Sequence, residues 1–328
     1  MAKPKVAFYW AASCGGCEIT VTELGMKLVE VGDLVDIVLW PCLMDFKYSD
    51  VEAMADKEID VCFFNGAIRT SENEHLAKML RAKSKTMVAF GACSHMGGIP
   101  GLANNYDKES IFERVYDTSP SLDNSAGTRP GISTKMPEGE IVLPSFYEQV
   151  KTLDQTVEVD YYLPGCPPVA EQVGAVLGVI LEGKLPEPGA VIGVGKKTNC
   201  DECERTKRSN GHVRIKAFKR PHEILADPEV CFLEQGLICA GPATRAGCGL
   251  PCIQGNMPCR GCYGPPEGVE DQGAKMLGAI AAVIDAKTTE DVERVMDTIV
   301  DPLGTYYRFN LPDSILSELK YGNGNGKQ

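Results

Sequence analysis

Twelve of the fourteen cysteines in this chain fall into three sets of four, each with the makings of an iron–sulfur site. Cys14 and Cys17 open the first set, in Ala-Ser-Cys-Gly-Gly-Cys-Glu. Cys93, in Gly-Ala-Cys-Ser-His-Met-Gly-Gly, and Cys166, in Pro-Gly-Cys-Pro-Pro, are placed to complete it. The other eight lie between Cys200 and Cys262, in a stretch rich in Gly and Pro. Four thiolates are the usual ligation of a cubane cluster. Three such sites in one chain point to a path for electrons, because a single redox centre would need only one. CxxC pairs also make tetrahedral zinc sites, so structural zinc is the rival for the later eight cysteines.

The elements that must position these residues can be read from pattern. Val6–Trp10, Val35–Trp40, Ile59–Phe64 and Thr86–Phe90 are short runs of β-branched and aromatic residues, strand-like by length, and Asp160–Leu163 adds another. Helical patterns lie between them. Ser71-Glu72-Asn73-Glu74 reads as a capping box with Leu76, Met79 and Leu80 behind it, and Pro167-Pro168 opens a stripe of Val169, Val173, Val176, Leu177 and Ile180. Strands alternating with helices predict a flavodoxin-like, doubly wound parallel sheet. Cys14, Cys93 and Cys166 each follow a predicted strand, and ligands of such sheets sit beyond the carboxyl ends of the strands. Three strand ends thus bring ligands that are distant in sequence to one point. Residues Gly101 to Val150 interrupt the alternation and read as a lobe over a partner interface, with one helical stretch at Glu109–Val115.

Leu185-Pro186-Glu187-Pro188-Gly189 marks a boundary. The expected organisation is a flavodoxin-like domain over 1–187 holding the first site, then an irregular iron–sulfur domain over 188–328 with a few helices and the other two sites. Ligation supplies folding energy, so such a domain dispenses with much regular structure. Val292, Val295, Met296 and Ile299 have helical spacing, and Gly-Asn-Gly-Asn-Gly-Lys-Gln at the end reads as a disordered tail.

Composition excludes several classes. The chain has 328 residues and a hydrophobic share of 44%, enough for a proper core, so its cysteines are not staples for an undersized one. A net charge of −12 disfavours nucleic acid as a partner. No apolar run is long enough to span a membrane, and Met-Ala-Lys-Pro-Lys-Val shows no secretory or twin-arginine pattern, which predicts a cytoplasmic protein. Lys196-Lys197 and Lys207-Arg208 read as a solvated loop, or as a docking or cluster-tuning charge near Cys200 and Cys203.

The three motifs of the first set, with Cys259-Arg260-Gly261-Cys262-Tyr-Gly-Pro-Pro, resemble the small subunit of nickel–iron hydrogenases from Val6 to about Pro266. Within that family the chain looks most like the cytoplasmic, methyl-viologen-reducing type that works with heterodisulfide reductase. The resemblance implies a proximal cluster on Cys14, Cys17, Cys93 and Cys166, a medial one on Cys248, Cys252, Cys259 and Cys262, and a distal one on Cys200, Cys203, Cys231 and Cys239. Periplasmic members carry histidine where this chain has Cys200, and a proline that goes with a three-iron cluster where it has Cys252. Three 4Fe–4S clusters are therefore expected, the medial one at lower potential, which suits an acceptor such as ferredoxin. The nickel–iron centre is expected on a separate large subunit. The other implied partners are an iron–sulfur adaptor subunit and heterodisulfide reductase or a similar acceptor. A second reading is a hydrogenase-related subunit, as in respiratory complex I, whose large partner lacks nickel; its adjacent proximal cysteines differ from the CxxC here, which favours the hydrogenase reading.

Glu18 begins a predicted helix. Read by itself it is an acid stabilising the helix dipole; the resemblance implies a proton relay near the subunit interface, which a buried carboxyl of raised pKa would serve. His95 is expected to donate a hydrogen bond near the first site. Cys62 reads as core, and Cys42 as core or loop packing, or else a spare thiol at the cluster edge.

Overall fold

The computed structural model describes residues 3–208 and 213–317. The sequence 322–328, expected to be a disordered tail, lies outside the described residues.

Ten strands are described: β1 (Lys5–Trp10), β2 (Asp36–Leu39), β3 (Ile59–Asn65), β4 (Ile68–Thr70), β5 (Ser84–Phe90), β6 (Ser133–Met136), β7 (Gly139–Val142), β8 (Phe146–Lys151), β9 (Tyr161–Leu163) and β10 (Ala190–Val191). Six of them form one sheet in the order β10-β9-β5-β3-β1-β2, every pair parallel. This is the flavodoxin-like, doubly wound order. The register pairs Phe8 with Phe63 and Phe64 with Ala89. Side chains alternate faces along a strand, and here both faces are buried, so the strands read as continuous apolar runs. Val6, Phe8, Val61, Phe63, Val88 and Phe90 pack on one face, and Ala7, Tyr9, Cys62, Phe64, Met87 and Ala89 on the other. Cys62 is fully buried, as expected of a core thiol.

Helices α1 (Gly16–Thr22), α2 (Met26–Leu34), α3 (Tyr48–Glu52), α4 (Ser71–Lys83), α5 (Ala92–Met96), α6 (Lys108–Tyr116) and α7 (Ala170–Leu181) belong to the first part of the chain. Two starts differ from expectation. The cap of α4 is Thr70, one residue before the predicted Ser71: its hydroxyl accepts the Asn73 N–H at 3.3 Å, and Asn73 Oδ1 accepts the Thr70 N–H at 3.2 Å. Helix α7 begins after Val169, not at Pro167, because its cap residue is still extended there. The interruption between Gly101 and Val150 holds α6, the exposed hairpin β6–β7, and β8, which pairs antiparallel with β4.

Beyond the sheet, regular structure thins into the short helices α8 (Asn199–Glu202) and α9 (Pro251–Gln254). It then returns as α10 (Gln272–Ala281), α11 (Thr289–Met296) and α12 (Pro302–Tyr306). Helix α11 matches the predicted stripe, with Val295 fully buried, whereas α10 and α12 go beyond what the pattern predicts. A second core gathers Phe232, Leu237, Met276, Ile280, Val295 and Ile299 around Cys239 and Cys259. The two parts interlock. Tyr263 donates to Gln172 Oε1 at 2.6 Å and accepts the Val169 N–H at 3.1 Å, and Gln155 donates to the Pro312 carbonyl at 2.8 Å. Among the described residues no helix is long and apolar enough to cross a membrane.

Candidate metal centre

The chain leaves β1, β5 and β9 at their carboxyl ends and reaches Cys14, Cys93 and Cys166 within four residues. Cys17 lies one turn into this region, in the first turn of α1. Cys17 and Cys93 are buried, whereas Cys14 and Cys166 are exposed. The four are electrostatic neighbours. Burial, and then the proximity of Cys93, Cys166 and Cys14, push the Cys17 thiol well above its ordinary range. Burial, with Cys166 and Cys14 adding to it, pushes Cys93 up to about 12. Thiols so close oppose one another's ionisation, and a cationic core is what makes four thiolates stable together.

Two glycines make room at these sulfurs. A Cβ on Gly91 would stand 2.4 Å from Cys17 Sγ, and one on Gly98 would stand 2.5 Å from Cys93 Sγ. Both have positive φ, a conformation an L side chain rarely adopts.

The later eight cysteines divide by place. Cys200, Cys203, Cys231 and Cys239 line one cavity together with Arg205 and Lys207. Cys248, Cys252, Cys259 and Cys262 line another of about 460 Å³, with Cys166 at its edge. Backbone contacts place the sets end to end. The Cys166 N–H points to the Cys262 sulfur, and the Cys259 N–H to the Cys239 sulfur. Burial pushes the Cys200 thiol up to about 12, and Cys259 of the neighbouring set adds a smaller electrostatic push in the same direction.

Among the described residues no three His, Cys, Asp or Glu side chains converge as the shell of one metal ion. A cubane takes one thiolate on each of four irons, and four thiols about one cavity, with the Leu250 N–H 3.4 Å from Cys248 Sγ and glycine clearances at Cys17 and Cys93, are a donor set that fits it.

Several residues at these sites carry no signal in the sequence. Buried Asn199 spans one set, donating to Cys259 Sγ at 3.4 Å, with Cys248 Sγ 3.8 Å from its Oδ1. Arg205 stacks on Phe232 with its guanidinium carbon 3.7 Å from the ring centre. It donates to the Asp227 and Val230 carbonyls and to Asn256 Oδ1 at 2.7–2.9 Å. Only the tertiary fold brings these partners together.

Glu18 is 4% exposed in the first turn of α1. Trp40 Nε1 donates to Oε2 at 2.5 Å, Asn65 Nδ2 to Oε1 at 3.4 Å, and Cys42 Sγ stands 3.6 Å from Oε2. Burial raises its pKa, and these donors oppose the rise. Cys42 is exposed, a thiol between Glu18 and the surface rather than core packing. His95 departs from expectation. Its half-buried ring packs 4.7 Å from that of Tyr162, the buried Nδ1 lacks a hydrogen-bond partner, and desolvation holds its pKa down near 4. Among the described residues no hydrogen bond joins that ring to a sulfur.

Comparison with known proteins shows the family. The family model described as NADH ubiquinone oxidoreductase, 20 Kd subunit, matches residues 14–180. The chain is 39% identical to the iron–sulfur subunit of the F420-non-reducing hydrogenase of Archaeoglobus profundus, over 96% of this chain and 98% of that one. It is 35% identical to the corresponding F420-non-reducing hydrogenase subunit of Methanothermobacter marburgensis, over 96% of each. In fold it is similar to the [NiFeSe] hydrogenase of Desulfovibrio vulgaris Hildenborough, with a TM-score of 0.51, 16% identity, and coverage of 82% of this chain and 95% of that one. The chain belongs to the small, electron-transfer subunit family of nickel–iron hydrogenases, the family that holds these F420-non-reducing hydrogenase subunits and the sulfhydrogenase delta type.

Proposed function

We propose that this subunit relays electrons between the nickel–iron site of a large subunit and a redox partner through three 4Fe–4S clusters. The ligands would be Cys14, Cys17, Cys93 and Cys166 for the proximal cluster, Cys248, Cys252, Cys259 and Cys262 for the medial, and Cys200, Cys203, Cys231 and Cys239 for the distal. When bound, such clusters take up and release single electrons. Residues 1–187 would hold the first and 188–328 the other two. The observation that carries this reading is the end-to-end contact of the three thiol sets, through Cys166 with Cys262 and Cys259 with Cys239. This chain's own part is to fix spacing, exclude water and aim N–H groups at sulfur.

The face around Cys14 is where the large subunit would dock. Trp10, whose ring lies against Gly15, and Ile19 of α1 are exposed there, at 43% and 59%. Glu18 lies beneath this face and would pass protons, with Trp40 and Asn65 orienting its carboxyl. Downstream, the reading extends to a cytoplasmic complex with an iron–sulfur adaptor subunit and heterodisulfide reductase or a similar acceptor. A reducing compartment suits a chain that uses its cysteines as thiolate donors.

The test is Cys252→Ala in the anaerobically purified complex. Loss of one thiolate should release about one iron per chain and turn one four-iron centre into a three-iron centre with a new oxidised-state resonance. Unchanged iron content and spectra would remove Cys252 from the ligand set. The match of residues 14–180 to the NADH ubiquinone oxidoreductase 20 Kd subunit is the observation behind the second reading, an electron-transfer subunit whose large partner lacks nickel. Nickel in the co-purified partner separates the two.

A further inference from the structure

Cys259 and Arg260 separate two clefts. One is the cavity shared with Cys248 and Cys252. The other, of about 480 Å³, opens on the opposite side and serves none of the roles above. Its floor is apolar, built from Phe218, Ile238, Met276 and Ile299. Lys219, Arg220, Arg260 and Arg308 surround it, from three separate segments of chain. The one carboxylate lining it, Asp301, is already engaged, accepting the Gly304 N–H at 2.9 Å as the cap of α12.

Four cations around one carboxylate are out of keeping with a chain of net charge −12. Among the described residues none of the four forms a salt bridge. Arg308 is half-buried; burial and then the nearby Arg260 lower its pKa, and Asp301 opposes them only in part. An unpaired, partly buried cation facing a second cation is costly, and an incoming carboxylate would relieve both. The exposed tips of Lys219 and Arg220 stand around an open cleft rather than converging as a buried fork on one point. That arrangement fits the acidic surface of a protein better than a small anion, whose sites use few, fixed donors.

We propose that this cleft docks an acidic electron-transfer protein, whose carboxylates pair with Lys219, Arg220, Arg260 and Arg308 and whose redox centre is thereby held beside Cys259. The inference rests on the electron-relay reading and names a partner surface for it. In the docked pair one electron leaves this subunit and one enters the partner; no bond forms or breaks and no proton moves. Local positive charge lets an acidic protein approach a subunit that repels it elsewhere, and such complexes are small, fast and sensitive to salt.

The experiment uses the intact hydrogenase complex with dihydrogen as reductant and an acidic two-cluster ferredoxin as probe. Methyl viologen, a small cationic dye, is the control. The double variant Lys219→Gln/Arg220→Gln changes two exposed side chains, so the fold is preserved. It should slow ferredoxin reduction about tenfold at low salt and flatten its salt dependence. Viologen reduction and iron content should stay as in the wild type. An unchanged ferredoxin rate in the variant would overturn the proposal while leaving the relay standing. Absence of viologen reduction in the wild-type complex would instead bring down the relay reading, and the docking proposal with it. Saturable binding of inorganic pyrophosphate, lost in the variant while the ferredoxin rate is unchanged, would assign the cleft to a small anion and also overturn it.

Discussion

Glu18 joins two properties that seldom occur together, a position beside an exposed apolar face and near-complete burial of its carboxyl. Glu18→Gln keeps the shape and the acceptor for Trp40 Nε1 but removes the ionisable oxygen. It should slow dihydrogen turnover by about 10²-fold or more while leaving iron content unchanged. Equal turnover in variant and wild type would reduce Glu18 to a helix-dipole acid. Asn199 tests the neighbouring scale of effect. Asn199→Ala removes the N–H donor at Cys259, and should shift the potential of one cluster and destabilise the chain by about 1–3 kcal/mol. A redox titration with three unmoved potentials would deny it that role. The cysteines are legible in the sequence because their type and spacing state their chemistry. Asn199, Trp40 and Arg205 are not, since each matters only through a partner more than twenty residues away that the fold delivers.

Elements decide how these residues meet. The strands β1, β5 and β9 are readable because a parallel sheet buried on both faces leaves unbroken apolar runs. Their ends give the convergence of Cys14, Cys93 and Cys166. Helix starts are less legible. Ser71 and Thr70 are both good caps, and the choice depends on which residue leaves the extended strand β4. Helix α10 is hard to read because Gly273 and Gly278 stand inside it, where glycine reads as a breaker, and α12 because it is only five residues long. Two substitutions separate scaffold from site. Thr70→Ala should cost about 1 kcal/mol in thermal or denaturant unfolding with iron content intact. Gly91→Ala, which puts a Cβ 2.4 Å from Cys17 Sγ, should lower iron content before it lowers helicity. Full iron in the Gly91 variant would show that the clearance there is not needed.

At the scale of the whole molecule, the two parts of the chain spend their sequence differently. The sheet carries its own apolar core on both faces, whereas among the described residues the stretch from 192 to 270 has only short helices around eight cysteines. Metal ligation should therefore supply much of the order there. Chelation of iron from the complex should speed amide exchange across that stretch far more than in β3 and β5, and uniform loosening would contradict this division. If the twelve grouped cysteines hold three four-iron clusters wired to a nickel site, metal analysis of the natively purified, oxygen-free complex will read both metals. About twelve irons on this chain, with nickel in the co-purified partner, is the result expected. Zinc in place of iron at the later cysteines, or about four irons on this chain, would contradict it.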